Sequence, residues 1–369
     1  MKAVLAGDWH SKIHEEVICH ALRKLGVDVT PFRWNEYFKV ETAFGQLATV
    51  YLKFQNKFIA GPTVSKLNKD LISKVLEEQP EFLFIYRGSH VFPKTIRSIQ
   101  KLAPNTLVVG YNNDDPFSKL YPNWMWRHFL GCIPYYDLIF AYRKHNIPNL
   151  LAAGAKEVEL LRSWFVPEMC PPESSQNNQK DCDVIFIGHY EPDERVAYLE
   201  EVERRGWKLK IYGSSGNWSK ALERSDILRH HLPIQPVWGE EYISAIRSAR
   251  IALCFFSKLN RDGYTRRCFE IPACGTLLLS EHSEEMEELF DEDREAVFFK
   301  NIQDMSEKIE ILMRDEEKRI QIACRGEKRV WKDGHDVNSR VASMLKILQS
   351  AMQKRKSSYA KNPNRAAKN

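Results

Sequence analysis

The sequence predicts an α/β protein made of two consecutive Rossmann-like domains that face a cleft. Three observations carry this prediction. Short apolar strands alternate with amphipathic helices from the first residues onward. The alternation stops once, in a polar, proline-rich stretch near the middle, and then resumes. The 369 residues, 43% of them hydrophobic, are enough for two cores of ordinary domain size. In such sheets ligands bind beyond the carboxyl ends of the strands.

In the first half, Lys2–Ala6 is an apolar strand. Ile13, Val17, Ile18, Ala21, Leu22 and Leu25 then share one helix face, Gly26 ends the helix, and Val27–Pro31 is the next strand. Tyr37 to Phe58 is aromatic-rich and reads as helical, as does Leu67 to Leu76. Phe82–Tyr86 is a buried strand, and Pro93 opens a helix with Ile96, Ile99 and Leu102 turned inward. Strands follow at Thr106–Gly110, Leu138–Ala141 and Trp164–Val166, with a loop from Tyr111 to Pro116.

The predicted boundaries are 1–166 for the first domain, 167–181 for the linker, 182–349 for the second domain and 350–369 for a basic, disordered tail. In the second domain strands are expected at Val184–Ile187, Leu209–Tyr212, Ile234–Val237, Ile251–Phe255, Thr276–Leu279 and Ala296–Phe299. Helices alternate with them and close the domain at 316–331 and 336–348; the last one is free to cross back to the first domain.

Composition excludes several classes. No run approaches the roughly 20 apolar residues of a membrane span, and the start lacks the pattern of a signal peptide. Eight cysteines without a C-x-x-C pair read as reduced thiols of a cytoplasmic chain. The net charge is +5, but six of the 54 basic residues lie in the acid-free stretch 350–369; without them 48 basic residues face 49 acids. The body therefore has no basic signature for nucleic acid, and the tail offers either peripheral contact with an anionic membrane or a solvated end without a partner. P-loop, nucleophile-elbow and H-E-x-x-H patterns are absent, and His230-His231 stands apart from other good ligands, so no metal site is expected.

The most informative stretch runs from Asn260 to Ser280, between two strands. A polar loop feeds a helix starting near Thr265, where backbone N–H groups suit a diphosphate flanked by Arg266 and Arg267. Glu270, one turn in, either takes two vicinal hydroxyls of a ribose or is simply an acid favoured by the helix dipole.

Here the sequence resembles a family. Arg-x-Phe-Glu-x-x-Ala-Cys-Gly-Thr, from Arg267 to Thr276, is similar to the C-terminal domain of GT-B glycosyltransferases, and more narrowly to the spore-maturation-protein CgeB-like group. The likeness runs through Phe186 to Tyr190, Tyr212-Gly213, Glu281 to Leu289, Val297 to Phe299 and Ile320 to Arg340; it is weaker over 1–166. It implies a GT-B fold and a nucleotide-sugar donor, with Glu270 on the donor ribose. Asp262, eight residues earlier, stands where many retaining members carry a glutamate that faces the sugar. Arg195 is the implied diphosphate contact, or else a solvated first-turn residue of helix 193–204; Trp238 stands where related enzymes hold the base and either stacks on it or is a tryptophan at the edge of the core.

Four further groups can line a site. Gly188 and His189 follow the first strand of the second domain, where a glycine lets backbone approach a ligand. Gly213 is either a wall of the nucleotide pocket or a turn. Asp8 and His10 follow the first strand of the chain and can accept the acceptor's proton, or Asp8 caps a helix. Asp114 and Asp115 bind acceptor hydroxyls or cap a turn. The aromatic cluster Tyr121 to Tyr142 is core with acceptor-side surface, or faces a membrane.

The expected function is transfer of a sugar, a hexose by expectation, from a nucleotide-sugar to a sugar, lipid-linked or protein acceptor, without metal or cofactor. A non-catalytic nucleotide- or sugar-binding protein and a nucleotide-sugar epimerase are the alternatives.

Overall fold

The computed structural model describes residues 1–39, 45–171 and 180–361, the last four by backbone alone. Two compact units form: Met1–Arg162 together with Val337–Asn369, and Ser163–Asp336.

The first unit runs β1 (Lys2–Gly7), α1 (Glu15–Lys24), β2 (Asp28–Arg33), α2 (Gly45–Phe58), α3 (Pro62–Glu78), β3 (Phe82–Tyr86), α4 (Pro93–Leu102), β4 (Leu107–Asn112), α5 (Arg127–Cys132), β5 (Leu138–Ala141), α6 (Asn146–Ala152) and β6 (Val158–Leu160). The strands form one parallel sheet in the order β2-β1-β3-β4-β5-β6. Continuous apolar runs such as Phe82–Tyr86 are what a strand covered on both faces requires. Val4, Leu83, Ile85, Val108 and Ile139 of the sheet pack with Leu67, Leu71, Val75, Ile96 and Ile99 of the helices.

The second unit runs β7 (Cys182–Ile187), α7 (Arg195–Arg204), β8 (Leu209–Tyr212), α8 (Ser215–Leu222), α9 (Gly239–Arg247), β9 (Ala249–Cys254), α10 (Arg267–Ala273), β10 (Leu277–Glu281), α11 (Glu284–Leu289), β11 (Val297–Phe299), α12 (Ile302–Arg314) and α13 (Glu316–Lys332). Its parallel sheet has the order β11-β10-β9-β7-β8. Val184, Phe186, Leu253 and Leu279 meet Leu199, Val202, Met305 and Ile309 in its core. Each such side chain contributes roughly 1.5–3 kcal/mol by leaving water.

Four differences from the sequence reading have physical causes. Ile234–Val237 forms no strand: Pro233 and Pro236 lack N–H donors, and the carbonyl of Gln235 accepts from Gly213 N at 3.1 Å. Trp164–Val166 is not the last strand of the first sheet; Phe165 makes a single bridge to Asp336, and the edge strand is β6. Tyr111 and Asn112 continue β4 rather than starting a loop, with Tyr111 pairing beside Tyr86. The stretch 37–58 divides into a 3-10 turn at Trp34–Phe38 and α2, and residues 40–44 between them lie outside the described ones.

The tail also differs. Residues 350–361 belong to a long final helix, α14 (Val337–Lys361), which packs on α1 of the first unit. Ala351 is buried, Lys354 pairs with Glu157 at 3.0 Å, and Arg355 donates to Asp137 and, at 2.8 Å, to the carbonyl of Pro104. Two of its cations, Lys354 and Arg355, are thus matched by first-unit acceptors, which composition alone did not reveal. Residues 362–369, like 172–179 of the expected linker, lie outside the described ones. Seven cysteines are buried and Cys324 is exposed. The pairs Cys170–Cys274 and Cys254–Cys268 stand 3.8 and 4.0 Å apart, hydrogen-bond rather than covalent distances. Among the described residues no helix is long and apolar enough to cross a membrane.

Candidate functional site

In each sheet the strand order reverses once, and parallel sheets bind ligands beside that reversal. In the second unit it falls between β7 and β9. The loops leaving these strands are tied together: Glu191 accepts from Lys258 N at 2.9 Å. A Cβ built on Gly188 would stand 3.4 Å from Nη1 of Arg267, so the first residue of α10 reaches the exit of β7. Desolvation, then the Arg267 charge, pushes His189 below the usual imidazole range.

Glu270 lies in α10 and is 4% exposed. Its Oε2 accepts from the Tyr242 hydroxyl at 2.8 Å, and its Oε1 stands 3.0 Å from Arg266 Nε. Two buried guanidinium nitrogens beside it, Nη1 of Arg266 and Nε of Arg267, have no hydrogen-bond partner among the described residues. A buried charged donor left unmatched costs more than the roughly 1–3 kcal/mol of a neutral one, so these nitrogens suit an anion. Trp238 is 69% exposed at the start of α9, one turn before Tyr242. An indole and the Tyr242–Glu270 pair thus sit one helical turn apart.

The other predicted donor residues divide. Asp262 lies in the loop after β9, partly exposed, its N–H bonded to Ser257 O at 2.9 Å. The Thr265 hydroxyl accepts from Arg267 N at 3.4 Å, just before the start of α10. Gly213 is a packing glycine: a Cβ there would fall 2.4 Å from the Gly188 carbonyl and 2.7 Å from the Trp218 indole nitrogen. Arg195 does not offer its guanidinium to a diphosphate. It is 4% exposed, donates to both Asp193 oxygens at 2.7 Å and to the His189 carbonyl, and so braces the loop after β7.

In the first unit the reversal falls between β1 and β3. Asp8 and His10 follow β1, and His10 Nδ1 is 2.8 Å from Asp8 Oδ2. Burial works to raise Asp8, but the His10 hydrogen bond and charge outweigh it and the carboxyl lies below its usual range. The same hydrogen bond lifts His10 above the ordinary imidazole range, against partial burial. With Nδ1 turned to Asp8, Nε2 is the nitrogen left to exchange a proton. Glu15 holds this loop. It is 1% exposed, its Oε1 accepts from Trp9 N at 3.2 Å, and a Cβ on Gly7 would lie 2.3 Å from that oxygen. His90, after β3, is pushed down to about 4 by burial and is held between Ser89 Oγ and Asn56 Oδ1 at 3.0 and 2.9 Å.

The two aspartates after β4 are engaged by the protein. Asp114 is clasped by Arg87 at 2.6–2.7 Å. Asp115 is fully buried, and its Oδ1 accepts from Phe117 N at 3.0 Å and Asn146 Nδ2 at 2.9 Å. The turn-capping alternative therefore describes Asp115. Nor are His230 and His231 isolated: Glu203 at the end of α7 stands 3.6 and 2.7 Å from their Nε2 atoms.

Two parallel Rossmann-like sheets of this kind define the GT-B fold. Residues 195–346 match a protein-family model described as glycosyl transferase-like. Among solved structures the chain is similar to HepE of Anabaena in complex with UDP-glucose (12% identity, TM-score 0.68, covering 95% of this chain and 100% of that one). It is similar too to the sucrose-phosphate synthase of Thermosynechococcus elongatus (10%, 0.68, 96% and 100%) and to a putative UDP-N-acetylglucosamine 2-epimerase of Listeria monocytogenes (11%, 0.60, 96% and 97%). At these identities the likeness is one of fold. No curated protein matches the chain.

Sequence reasoning missed two participants and, for a third, missed its reach to the exit of β7. Tyr242 carries no motif; its only signal is the i, i+4 spacing from Trp238 at a helix start. Glu15 reads as a first-turn helix acid until its burial against Gly7 is seen. Arg267 was visible beside Arg266, but nothing in the spacing favoured it over Arg195 for the β7 exit.

Proposed function

We propose that this chain is a glycosyltransferase that moves a sugar from a nucleotide-sugar donor held by the second unit to an acceptor engaged by the first. The observation that carries this reading is the group of two buried guanidinium nitrogens, without a partner among the described residues, beside the buried Glu270–Tyr242 pair. Glu270 receives ribose hydroxyls, Trp238 stacks on the base, and Arg266 and Arg267 neutralise the leaving diphosphate as the bond from the sugar's anomeric carbon to phosphate oxygen breaks. Asp262 faces the sugar. His10 Nε2, oriented by Asp8, takes the proton released as the acceptor oxygen bonds the sugar.

The glycosyl-transferase-like match over 195–346 and the fold shared with a UDP-glucose complex support the class of donor. With two guanidinium groups on the diphosphate, the reaction as proposed needs no metal. The stretch from Arg267 to Thr276 supports membership of the CgeB-like group, and the eight cysteines without a C-x-x-C pair support a cytoplasmic setting; the proposed sugar is a hexose.

The test is a panel of UDP-, GDP- and dTDP-sugars, read by thermal shift and by release of nucleoside diphosphate. Bound donor raises the midpoint by mass action, and slow hydrolysis without acceptor identifies a transferase. A thermal shift with no diphosphate release marks a binding protein. Conversion of one nucleotide-sugar into its epimer, again without diphosphate release, marks an epimerase.

A further inference from the structure

The helix α2 presents apolar side chains to solvent and buries a polar one. Gln55 is 2% exposed, while Leu47, Val50, Tyr51 and Phe54 are 88%, 64%, 54% and 58% exposed. Their i, i+3, i+4, i+7 spacing sets the four on a single stripe. The helix is nonetheless firmly seated. Gln55 Oε1 accepts from Thr63 N at 2.8 Å, Asn56 Oδ1 is 2.9 Å from His90 Nε2, and Arg127 donates to the carbonyls of Phe58 and Ile59 at 2.8 and 2.7 Å. The stripe is therefore a fixed platform. Four large apolar neighbours held outward together are what an interaction surface looks like.

Charge selects the occupant. Residues 45–69 hold Lys53, Lys57, Lys66 and Lys69 and no acid. Lys53 and Lys57, both exposed, project along the flank of the stripe that lies away from the buried face. Phe58 packs on Trp124 with ring centroids 5.3 Å apart, and the loop carrying Trp124 adds exposed Lys119 and Leu120. A second copy of this chain placed symmetrically on the stripe would bring like lysines together, with no acid in 45–69 to pair them. A bilayer with anionic headgroups offers both complements: hydrocarbon for Leu47, Val50, Tyr51 and Phe54, and phosphates for the lysines.

We propose that the outer face of α2 docks on an anionic lipid surface and holds the first unit there. The contact is separate from the basic tail and does not rest on the transfer reaction, because it needs neither donor nor acceptor.

The test uses the full-length chain and sedimentation with phosphatidylcholine vesicles made with and without phosphatidylglycerol, at low and high salt. The chain binds the anionic vesicles at low salt. Replacing Leu47→Glu and Phe54→Glu together lowers the partition coefficient by at least about tenfold. Lys53→Gln with Lys57→Gln lowers it about fivefold per lysine at low salt, an effect that shrinks at high salt. Lys354→Gln, on α14, leaves binding unchanged. All the replaced side chains are exposed, so circular dichroism and thermal midpoint stay at wild-type values. Should the glutamate pair fold poorly, the lysine pair carries the test alone. Absence of binding to anionic vesicles overturns the proposal, and so does binding that survives both pairs of substitutions. A dimer in sedimentation velocity that the glutamate pair dissolves, with no vesicle binding by the wild type, overturns it in favour of self-association.

Discussion

The Tyr242 hydroxyl donates to one carboxylate oxygen of Glu270 at 2.8 Å, while the other oxygen stands 3.0 Å from Arg266. Burial first, and the Glu270 charge second, hold the Tyr242 hydroxyl far above its usual pKa, so it remains a donor at any working pH. Glu270 is thereby fixed in one orientation before any ligand arrives, and preorganised groups bind without an ordering cost.

Glu270→Ala therefore weakens nucleoside-diphosphate binding. Charged hydrogen bonds contribute roughly 1.5–3 kcal/mol each, or about tenfold to a hundredfold in Kd. Glu270→Gln and Tyr242→Phe have smaller effects, because each keeps part of the network. Calorimetry with UDP measures all three; normal affinity in a folded alanine variant removes the ribose assignment.

Arg267→Gln lowers affinity for the diphosphate more than Arg195→Gln does, since Arg195 is engaged by Asp193 and the His189 carbonyl. Arg195→Gln instead lowers the thermal midpoint. In the same assay turnover persists in EDTA; turnover abolished by the chelator and restored by magnesium or manganese would show that the guanidinium groups do not suffice.

The Asp8–His10 pair sets a pH dependence. Asp8 raises the His10 pKa, and His10 accepts a proton only when neutral, so turnover falls as pH drops through that raised value. Asp8→Asn moves this acidic limb to lower pH, and His10→Ala abolishes it. A limb that stays in place in Asp8→Asn rules the pair out as the base.

His90 acts on stability instead. Its folded pKa of about 4 lies below the unfolded value near 6.5, so the unfolded chain binds the extra proton. Its contribution is intact above about pH 6.5 and is lost as pH falls toward 4, by roughly 3 kcal/mol at most. Urea unfolding across that range shows a shallower loss in His90→Gln than in the wild type.

Deleting residues 353–369 lowers the thermal midpoint by several degrees, because Arg355 gives charged hydrogen bonds to the first unit. Arg355→Gln alone reproduces most of the loss. An unchanged midpoint would return the end of the chain to the status of a dispensable appendage.

The parallel sheets were legible because strands covered on both faces need unbroken apolar runs, and Phe82–Tyr86 and Leu138–Ala141 appear at the positions read from sequence. The loops that carry Asp8, Gly188 and Arg266 were legible for the same reason, since each follows a strand. What sequence did not show was pairing at a distance. Even over the two residues from Asp193 to Arg195, spacing alone does not tell that the carboxylate turns the guanidinium inward. Nothing near Asp115 tells that Asn146 completes its buried shell, and nothing in the basic tail announces Asp137 and Glu157 as its partners. Proline also overrode pattern at Ile234–Val237, where apolar alternation suggested a strand that two missing donors prevent.

The return of α14 to α1 gives the chain an order of assembly. A ribosome releases the second unit, Ser163–Asp336, as one uninterrupted segment, so it can close as soon as it emerges. The first unit begins earlier and finishes later: its β1–α1 layer must wait for Val337 onward before the surface under α14 is covered. During that interval a nascent first unit exposes apolar side chains that the complete protein hides, and it is the species most in need of a chaperone. Stalled or prematurely terminated chains are then expected to fail through the domain made first.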